Sequence, residues 1–339
     1  MIPDQRVALG STALSVTRLG LGTAPLGGMF EAVDEDTAHA VVRRAWELGL
    51  RLFDTAPLYG HGQSERRLGH VLSELPRDDF VLSTKVGRLL RAGAPPDPTQ
   101  VGPDGAYNWK GVPDVNPVFD FSYDGTLRSV EESLERLGLG RIDVLHIHDP
   151  DEHYAQALSG ARVALEELRS QGVIGAVGVG MNQAPMLARF AREASVDCFL
   201  LAGRYTLLDH SALDELLPLC VERGISVIAG GIYNSGILAD PRPGARFDYA
   251  PAERELLERA RRLEQVCARH GMPLMAAAAQ FPLAHPAVDT VLTGPRSIEE
   301  LEQTERMLRV EIPAALWGEL RAEQLLPAEA PVPGATSAS

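Results

Sequence analysis

Asp54 and Tyr59 in the run F-D-T-A-P-L-Y-G-H-G, Lys85 in L-S-T-K-V-G and His148 in D-V-L-H-I-H-D-P carry the side chains of one proton-transfer device. A free phenol has a pKa near ~10 and is a poor acid–base at neutral pH; an ammonium beside it favours the phenolate and lowers that value. A carboxylate can hold the ammonium, and an imidazole can hydrogen-bond the reacting oxygen. Tyr59 would then pass a proton to or from a carbonyl or alcohol oxygen, help worth roughly 10²–10⁴-fold in rate. Taken singly, Tyr59 reads equally well as a packed loop aromatic, and Asp54 and Lys85 as a structural ion pair. Their occurrence together is what favours catalysis.

Such groups need a scaffold, and the chain alternates short apolar runs with longer helical patterns. The runs fall at residues 19–22, 52–54, 81–84, 144–148, 176–180, 198–202, 227–230 and 290–293. Residues 36–48 put Ala38, Val41, Val42, Ala45 and Leu48 on one helical stripe before Gly49. Ser64 reads as the cap of a helix carrying Leu68, Val71, Leu72 and Leu75, and Asp124 precedes Leu127, Val130, Leu134 and Leu137. Further helices are expected over 154–169, 185–194, 212–223, 252–270 and 298–308. Eight strand–helix units predict an α/β chain folded as a parallel (β/α)₈ barrel, one domain over residues 1–326, with an open parallel sheet as the competing topology. Barrel enzymes carry their chemistry at the C-terminal strand ends. Asp54, Tyr59, Lys85 and His148 all fall on that rim.

Three segments lie outside the repeat. Val7–Leu9 and Leu14–Val16 around Gly10 read as a hairpin closing the barrel floor. Residues 87–123, after the third strand, exceed the ~12–15 residues of an ordinary loop and read as a lid, with Tyr107, Trp109 and Phe119 as an apolar wall. A helix over 313–323 with Leu316, Trp317 and Leu320 is expected to pack across the barrel, and residues 327–339 are expected to be disordered.

Composition narrows the partners. A net charge of -14 argues against nucleic acid or an anionic membrane as partner. No secretory leader and no apolar run of ~18–20 residues is visible, and Cys198, Cys220 and Cys267 lack C-x-x-C spacing, which together read as a cytoplasmic protein with reduced thiols. His146 and His148 could instead hold a metal ion, as in barrel hydrolases. Strands five, six and eight end without a His or carboxylate at the rim, and His210 beyond strand six is the one spare candidate, so no metal is expected.

Barrels often bind phosphate after strands seven and eight and at a helix N-terminus. There the chain has Gly230, Gly231, Asn234, Ser235 and Gly236, then Gly294, Arg296 and Ser297. Small residues let backbone N–H groups approach a pyrophosphate. Ser297 and Glu300 also form the pattern of a capping box.

With these contexts the tetrad resembles that of the aldo-keto reductases, barrel enzymes that move a hydride between a nicotinamide cofactor and a carbonyl or alcohol carbon. The resemblance runs over residues 19–308. It implies that His148, five residues after Asp143, bonds the substrate oxygen, while His146 lies one layer deeper as a hydrogen-bonded core histidine. It places Gly22, Thr23 and Asn182 with the cofactor, Asn182 at the carboxamide, and Gln303 near the adenine. Met181 and Ala202 depart from the usual Ser and Gln. Arg296 would attract the 2′-phosphate of NADP and Glu300 would repel it, which leans toward NAD. The run F-D-F-S-Y-D-G-T-L-R-S-V-E-E-S-L-E-R-L-G-L-G-R-I-D-V-L-H-I-H-D-P-D and the run G-I-Y-N-S-G-I-L-A are similar to the branch containing L-fucose (D-threo-aldose) 1-dehydrogenases and pyridoxal 4-dehydrogenase. That branch implies oxidation of a cyclic hemiacetal to a lactone. An aldose needs several hydroxyl partners, and Trp109, Asn108, Arg204 and Asp149 would offer a mixed polar and aromatic wall near the rim. A general aldehyde or ketone reductase and a non-catalytic nucleotide-binding regulatory barrel are the alternatives.

Overall fold

A computed structural model describes residues 1–102 and 105–334. Eight strands, β1 (Leu19–Gly22), β2 (Leu52–Asp54), β3 (Val81–Val86), β4 (Val144–His148), β5 (Ala176–Met181), β6 (Cys198–Ala202), β7 (Ser226–Gly230) and β8 (Val288–Thr293), close into a barrel. Every neighbouring pair is parallel, and β8 joins β1. Strands buried on both faces read as continuous apolar runs, and all five residues of β4 are buried. Leu52, Val81, Val144, Ala176, Cys198, Leu200, Ile228 and Leu292 fill the interior. Leu9 and Val16 join them from the hairpin of Arg6–Ala8 and Ser15–Thr17, which plugs the floor as expected.

The outer layer is helical: α1 (Glu35–Glu47), α2 (Gln63–Leu72), α3 (Tyr123–Leu137), α4 (residues 154–170), α5 (Ala184–Glu193), α6 (Leu216–Arg223), α7 (Arg254–Arg269), α8 (Leu274–Gln280), α9 (Ile298–Arg309) and α10 (Ala314–Ala322). The α1 stripe buries Ala38, Val41, Val42 and Ala45, and Asp34 caps it by accepting from the Thr37 N–H. Ser122 caps α3 in the same way, accepting from the Gly125 N–H.

Several boundaries differ from expectation. Ser64 caps nothing; it lies inside α2, where its hydroxyl donates to the Thr23 carbonyl at 2.9 Å and ties the loop after β1 to α2. Helix α6 starts at Leu216 instead of residue 212, because Thr206 and Asp209 side chains bond nearby backbone N–H groups and hold turns there. The C-terminal helix α10 docks on α7 in the outer layer, with Leu316, Trp317 and Leu320 buried. The expected disorder does not extend to residues 327–334: Ala330 and Val332 are buried, and Arg321 donates to the Ala330 carbonyl at 2.6 Å. Residues 335–339 lie outside the described residues.

The segment after β3 is built as a hairpin, Arg88–Arg91 against Asn116–Phe119, whose tip returns over the barrel mouth. There the Phe30 N–H donates to the Asn108 carbonyl at 2.7 Å and the Lys110 N–H to the Gly28 carbonyl at 2.9 Å. Gly28 has φ +92°, and a Cβ on it would stand 2.4 Å from the Lys110 oxygen. Only glycine allows the two loops to meet this closely.

Candidate active site

The C-terminal ends of β2, β3 and β4 bring Asp54, Lys85 and His148 together, and the turn after β2 swings Tyr59 over them. Lys85 Nζ donates to Asp54 Oδ2 at 2.7 Å and to the Thr55 carbonyl at 2.8 Å. Ser83 Oγ donates to Asp54 Oδ1 at 2.9 Å. The ammonium stands 4.6 Å from the Tyr59 ring centroid, and the His148 ring meets Tyr59 edge-on at 5.8 Å. Trp109 stacks on the other side of Tyr59, also at 5.8 Å. Lys85 and Asp54 are 1% and 3% exposed, so their charges are compensated almost entirely by each other.

The electrostatics follow from that burial. Burial opposes the charge on Lys85, yet Asp54 and Tyr59 outweigh it and raise its pKa. Burial likewise pushes the Tyr59 phenol upward, and Lys85 pulls it back only in part. The net direction is thus up, against the lowering that the residue types alone suggest, because desolvation penalises the phenolate. Burial holds the His148 imidazole well below its ordinary pKa, and the Arg88 and Lys85 charges push the same way. His148 is therefore neutral at working pH, with one ring N–H to give to an oxygen.

Beside His148, Asp149 Oδ2 sits 3.4 Å from Nε2 and accepts from Arg88 Nη2 at 3.0 Å. Arg88, itself buried, also donates to Asp97 Oδ2 at 3.0 Å, linking the strand-four rim to the lid. Phe119 backs this guanidinium at 4.6 Å and does not line the cleft, and Tyr107 bonds to His61 instead of facing a ligand. Of the expected apolar wall, Trp109 alone faces the cleft.

A cleft of about 590 Å³ runs from the tetrad to the N-terminus of α9. It gathers Gly22, Asn182, Gly231, Asn234, Ser235 and Gly236, then Gly294, Arg296, Glu300 and Gln303. Asn108, Trp109 and Asp149 line it with the four tetrad residues. Three expected residues stand apart. Thr23 is fully buried and gives its hydroxyl to the Asp54 carbonyl at 2.8 Å. Ser297 lies behind the wall as the cap of α9, accepting from the Glu300 N–H. Arg204 is outside the cleft, its guanidinium forked on Asp248 at 2.8 and 2.6 Å. Asn234 reaches the cleft, but both ends of its amide are already used, on Thr206 and the Gly203 carbonyl.

His146 lies fully buried beneath the rim as a core histidine, its ring against the Val179 backbone and with neither nitrogen in well-formed hydrogen-bond geometry. It fills the space beside Gly178, where a Cβ would stand 2.2 Å from its Nδ1. Phe30, Asp248 and Tyr249 line the cleft without having been singled out from the sequence. The available signal was the length of the segment between β7 and α7, well beyond an ordinary connection, with Phe247 and Tyr249 in it.

The sequence model of the aldo/keto reductase family matches residues 18–323. The chain belongs to the aldo/keto reductase family. It is 44% identical to a pyridoxal 4-dehydrogenase of Microbacterium luteolum, over 95% of this chain and 98% of that one. It is 42% identical to a D-threo-aldose 1-dehydrogenase of a Pseudomonas species, over 94% and 98%. Among solved structures, the holo form of an aldo-keto reductase from Bacillus halodurans superposes with a TM-score of 0.72, at 24% identity over 96% and 97% of the two chains; that likeness speaks to the barrel fold. As an aldo/keto reductase the chain is an oxidoreductase. Among the described residues no helix is long and apolar enough to cross a membrane.

Proposed function

We propose that this aldo/keto reductase oxidises a cyclic hemiacetal to a lactone, with an aldose such as L-fucose or D-arabinose, or pyridoxal, as substrate. The observation that carries the reading is the carboxylate of Asp149, held by Arg88 beside His148 at the reacting end of the cleft. A carboxyl group there can accept from a hydroxyl on or next to the reacting carbon, a hydrogen bond that a plain aldehyde does not offer. The names of the two relatives support the same class.

A nicotinamide dinucleotide fits the rest of the cleft. Gly231, with φ +62° and a would-be Cβ 3.1 Å from the Gly203 nitrogen, belongs to a backbone wall with no room for side chains. Gly294 and the α9 N-terminus close the far end. Asn182, Gly22 and Met181 would hold the nicotinamide half, Gly231, Ser235, Gly236 and Gly294 the pyrophosphate, and Arg296, Glu300 and Gln303 the adenosine. When bound, the nicotinamide supplies the hydride acceptor. Tyr59, as the phenolate that Lys85 stabilises, takes the proton of the anomeric hydroxyl and becomes the neutral phenol, while Asp54 fixes Lys85. His148 donates its N–H to the reacting oxygen and orients it.

NAD is favoured over NADP. The Arg296 guanidinium lies 3.5 Å from Glu300 and 3.4 Å from Glu31, so its charge is already answered before any 2′-phosphate arrives. Glu300 also accepts from the Arg296 N–H at 2.8 Å, which fixes its carboxylate at this turn. The test is purified protein with L-fucose, D-arabinose and pyridoxal against NAD and NADP, with the lactone trapped as its hydroxamate. Reduction of simple aldehydes with every hemiacetal inert would replace this reading by a general carbonyl reductase.

A further inference from the structure

We propose that Tyr249 is a specificity-determining residue whose hydroxyl contacts the substrate ring, and that the Arg204–Asp248 fork is the positioning device that keeps it there. This deepens the reading above and rests on it. Residues after β7 cross the barrel mouth and end in a small hairpin, Arg246–Phe247 against Ala250–Pro251. The two residues at its apex are Asp248 and Tyr249, with φ +48° and +65°. A two-residue hairpin turn with both central φ values positive ordinarily takes Asn-Gly or Asp-Gly. Glycine is the inexpensive residue at position 249, and a bulky aromatic there is an outlier that its surroundings must impose.

Those surroundings are specific. From the loop after β6, Arg204 grips Asp248 with two parallel hydrogen bonds of 2.8 and 2.6 Å, the strongest geometry a guanidinium offers. The Tyr249 N–H donates to Ser235 Oγ at 3.1 Å, and its carbonyl accepts from Arg246 Nη1 at 3.1 Å. Its ring meets Phe30 at 6.2 Å, closing the mouth from the β1 side. Thus three loops converge to hold one strained aromatic.

What they hold it toward is the reacting end. Tyr249 lines the cleft together with Tyr59, Asp149 and Asn182. The residue is 40% exposed, but its hydroxyl reaches deep enough, next to the Asn182 amide, that burial pushes the phenol up to about 12, with Tyr59 and Asp149 adding to the effect and Asn182 opposing it. It stays protonated at working pH and can serve as a neutral donor. Across the cleft Trp109 is held by Gln100 through its indole N–H at 2.9 Å. A ring-shaped substrate would thus meet an aromatic from each of two loops, with Asp149 accepting from a hydroxyl and Tyr249 donating to a second oxygen.

The experiment compares wild type with Tyr249→Phe, Asp248→Gly, Arg204→Met and Arg204→Lys, using L-fucose and pyridoxal as substrates and NAD binding by tryptophan fluorescence. Loss of one neutral hydrogen bond predicts a KM increase of about 3–10-fold for Tyr249→Phe, with kcat and the NAD Kd within about two-fold. Asp248→Gly removes the latch while relieving the left-handed strain, so it should raise KM as Tyr249→Phe does without lowering Tm. Arg204→Met should match it, Arg204→Lys should recover part, and Arg204→Met/Tyr249→Phe should be no worse than Tyr249→Phe alone. Unchanged KM in Tyr249→Phe overturns the contact. An equal rise in the NAD Kd makes Tyr249 a cofactor residue and also overturns it. Independent, additive effects of Arg204 and Tyr249 overturn the latch. If wild type turns over neither substrate, the hemiacetal reading falls, and the same KM comparison with DL-glyceraldehyde decides the role of Tyr249.

Discussion

Replacing Lys85 by Met tests whether the buried ion pair serves chemistry or stability. The substitution keeps the apolar stem and deletes the ammonium, leaving Asp54, 3% exposed, with Ser83 Oγ at 2.9 Å as its remaining side-chain donor. At the 2.7 Å separation of the pair, an effective dielectric of ~20 gives a gross attraction of about 6 kcal/mol. Removing one partner of a buried pair typically costs about 3–5 kcal/mol, because the other charge stays desolvated. We expect that loss in urea denaturation at pH 7.5, together with loss of turnover. Asp54→Leu/Lys85→Met should regain most of the stability and none of the activity. The sign with pH is fixed: burial already holds the Asp54 pKa above its unfolded value of ~3.9 against the pull of Lys85, and deleting the ammonium raises it further, so the folded variant keeps a proton that the unfolded chain releases. Stability is therefore lost as pH rises past that unfolded value, and the deficit relative to wild type must shrink from pH 7.5 to pH 5. Equal deficits at both pH values, or a double variant no more stable than Lys85→Met, would refute the reasoning.

Tyr59→Phe should lower kcat by roughly 10²–10⁴-fold with nucleotide affinity nearly unchanged; retention of a tenth of wild-type kcat would point to another acid–base. Glu300→Gln should improve NADP more than NAD, and Arg296→Ala the reverse, each by about 1 kcal/mol because the turn is solvated; equal effects on both cofactors would leave Glu300 a helix cap only. Burial lowers the His146 pKa from 6.5 to about 3, so between those values the unfolded chain binds a proton that the folded chain refuses. Stability is lost as pH falls through 6.5, by about 2 kcal/mol at pH 5 from this residue. His146→Leu should thus gain that amount relative to wild type between pH 7.5 and pH 5, and a pH-independent difference would dismiss the histidine as an acid liability.

The barrel and the convergence of Asp54, Tyr59, Lys85 and His148 were legible because each rests on local pattern. Strands buried on both faces leave apolar runs, and three of the four tetrad side chains sit at or beside strand ends, where sequence position and spatial position coincide. Helix α8 was not legible: Leu274 and Ala276 to Gln280 are buried all round, so no 3.6-residue stripe marks it. The tail at Ala330 and Val332 looked dispensable by composition, yet it covers apolar surface that only the assembled fold creates. Arg204 pointed to substrate by its place after β6. Its true partner, Asp248, lies 44 residues on in a hairpin with no periodic signal.

Backbone strain marks the same site from another direction. Among the described residues eight besides glycine have positive φ, and six of them, Phe30, Asp149, Asn234, Ser235, Asp248 and Tyr249, line the cleft. Each would be less costly as glycine, and the fold as a whole has no shortage of glycine turns. Side chains kept at such positions are retained for what they reach: Asp149 reaches Arg88 and His148, Ser235 the Tyr249 N–H, Asp248 the Arg204 fork. Three of the four tetrad residues stand at or beside strand ends that any barrel of this kind provides, whereas the strained lining of the cleft comes from the loops. Strain concentrated in the loops after β1, β4 and β7 therefore marks those loops as the part that would choose the substrate under the proposed function, apart from the rim that would move the proton.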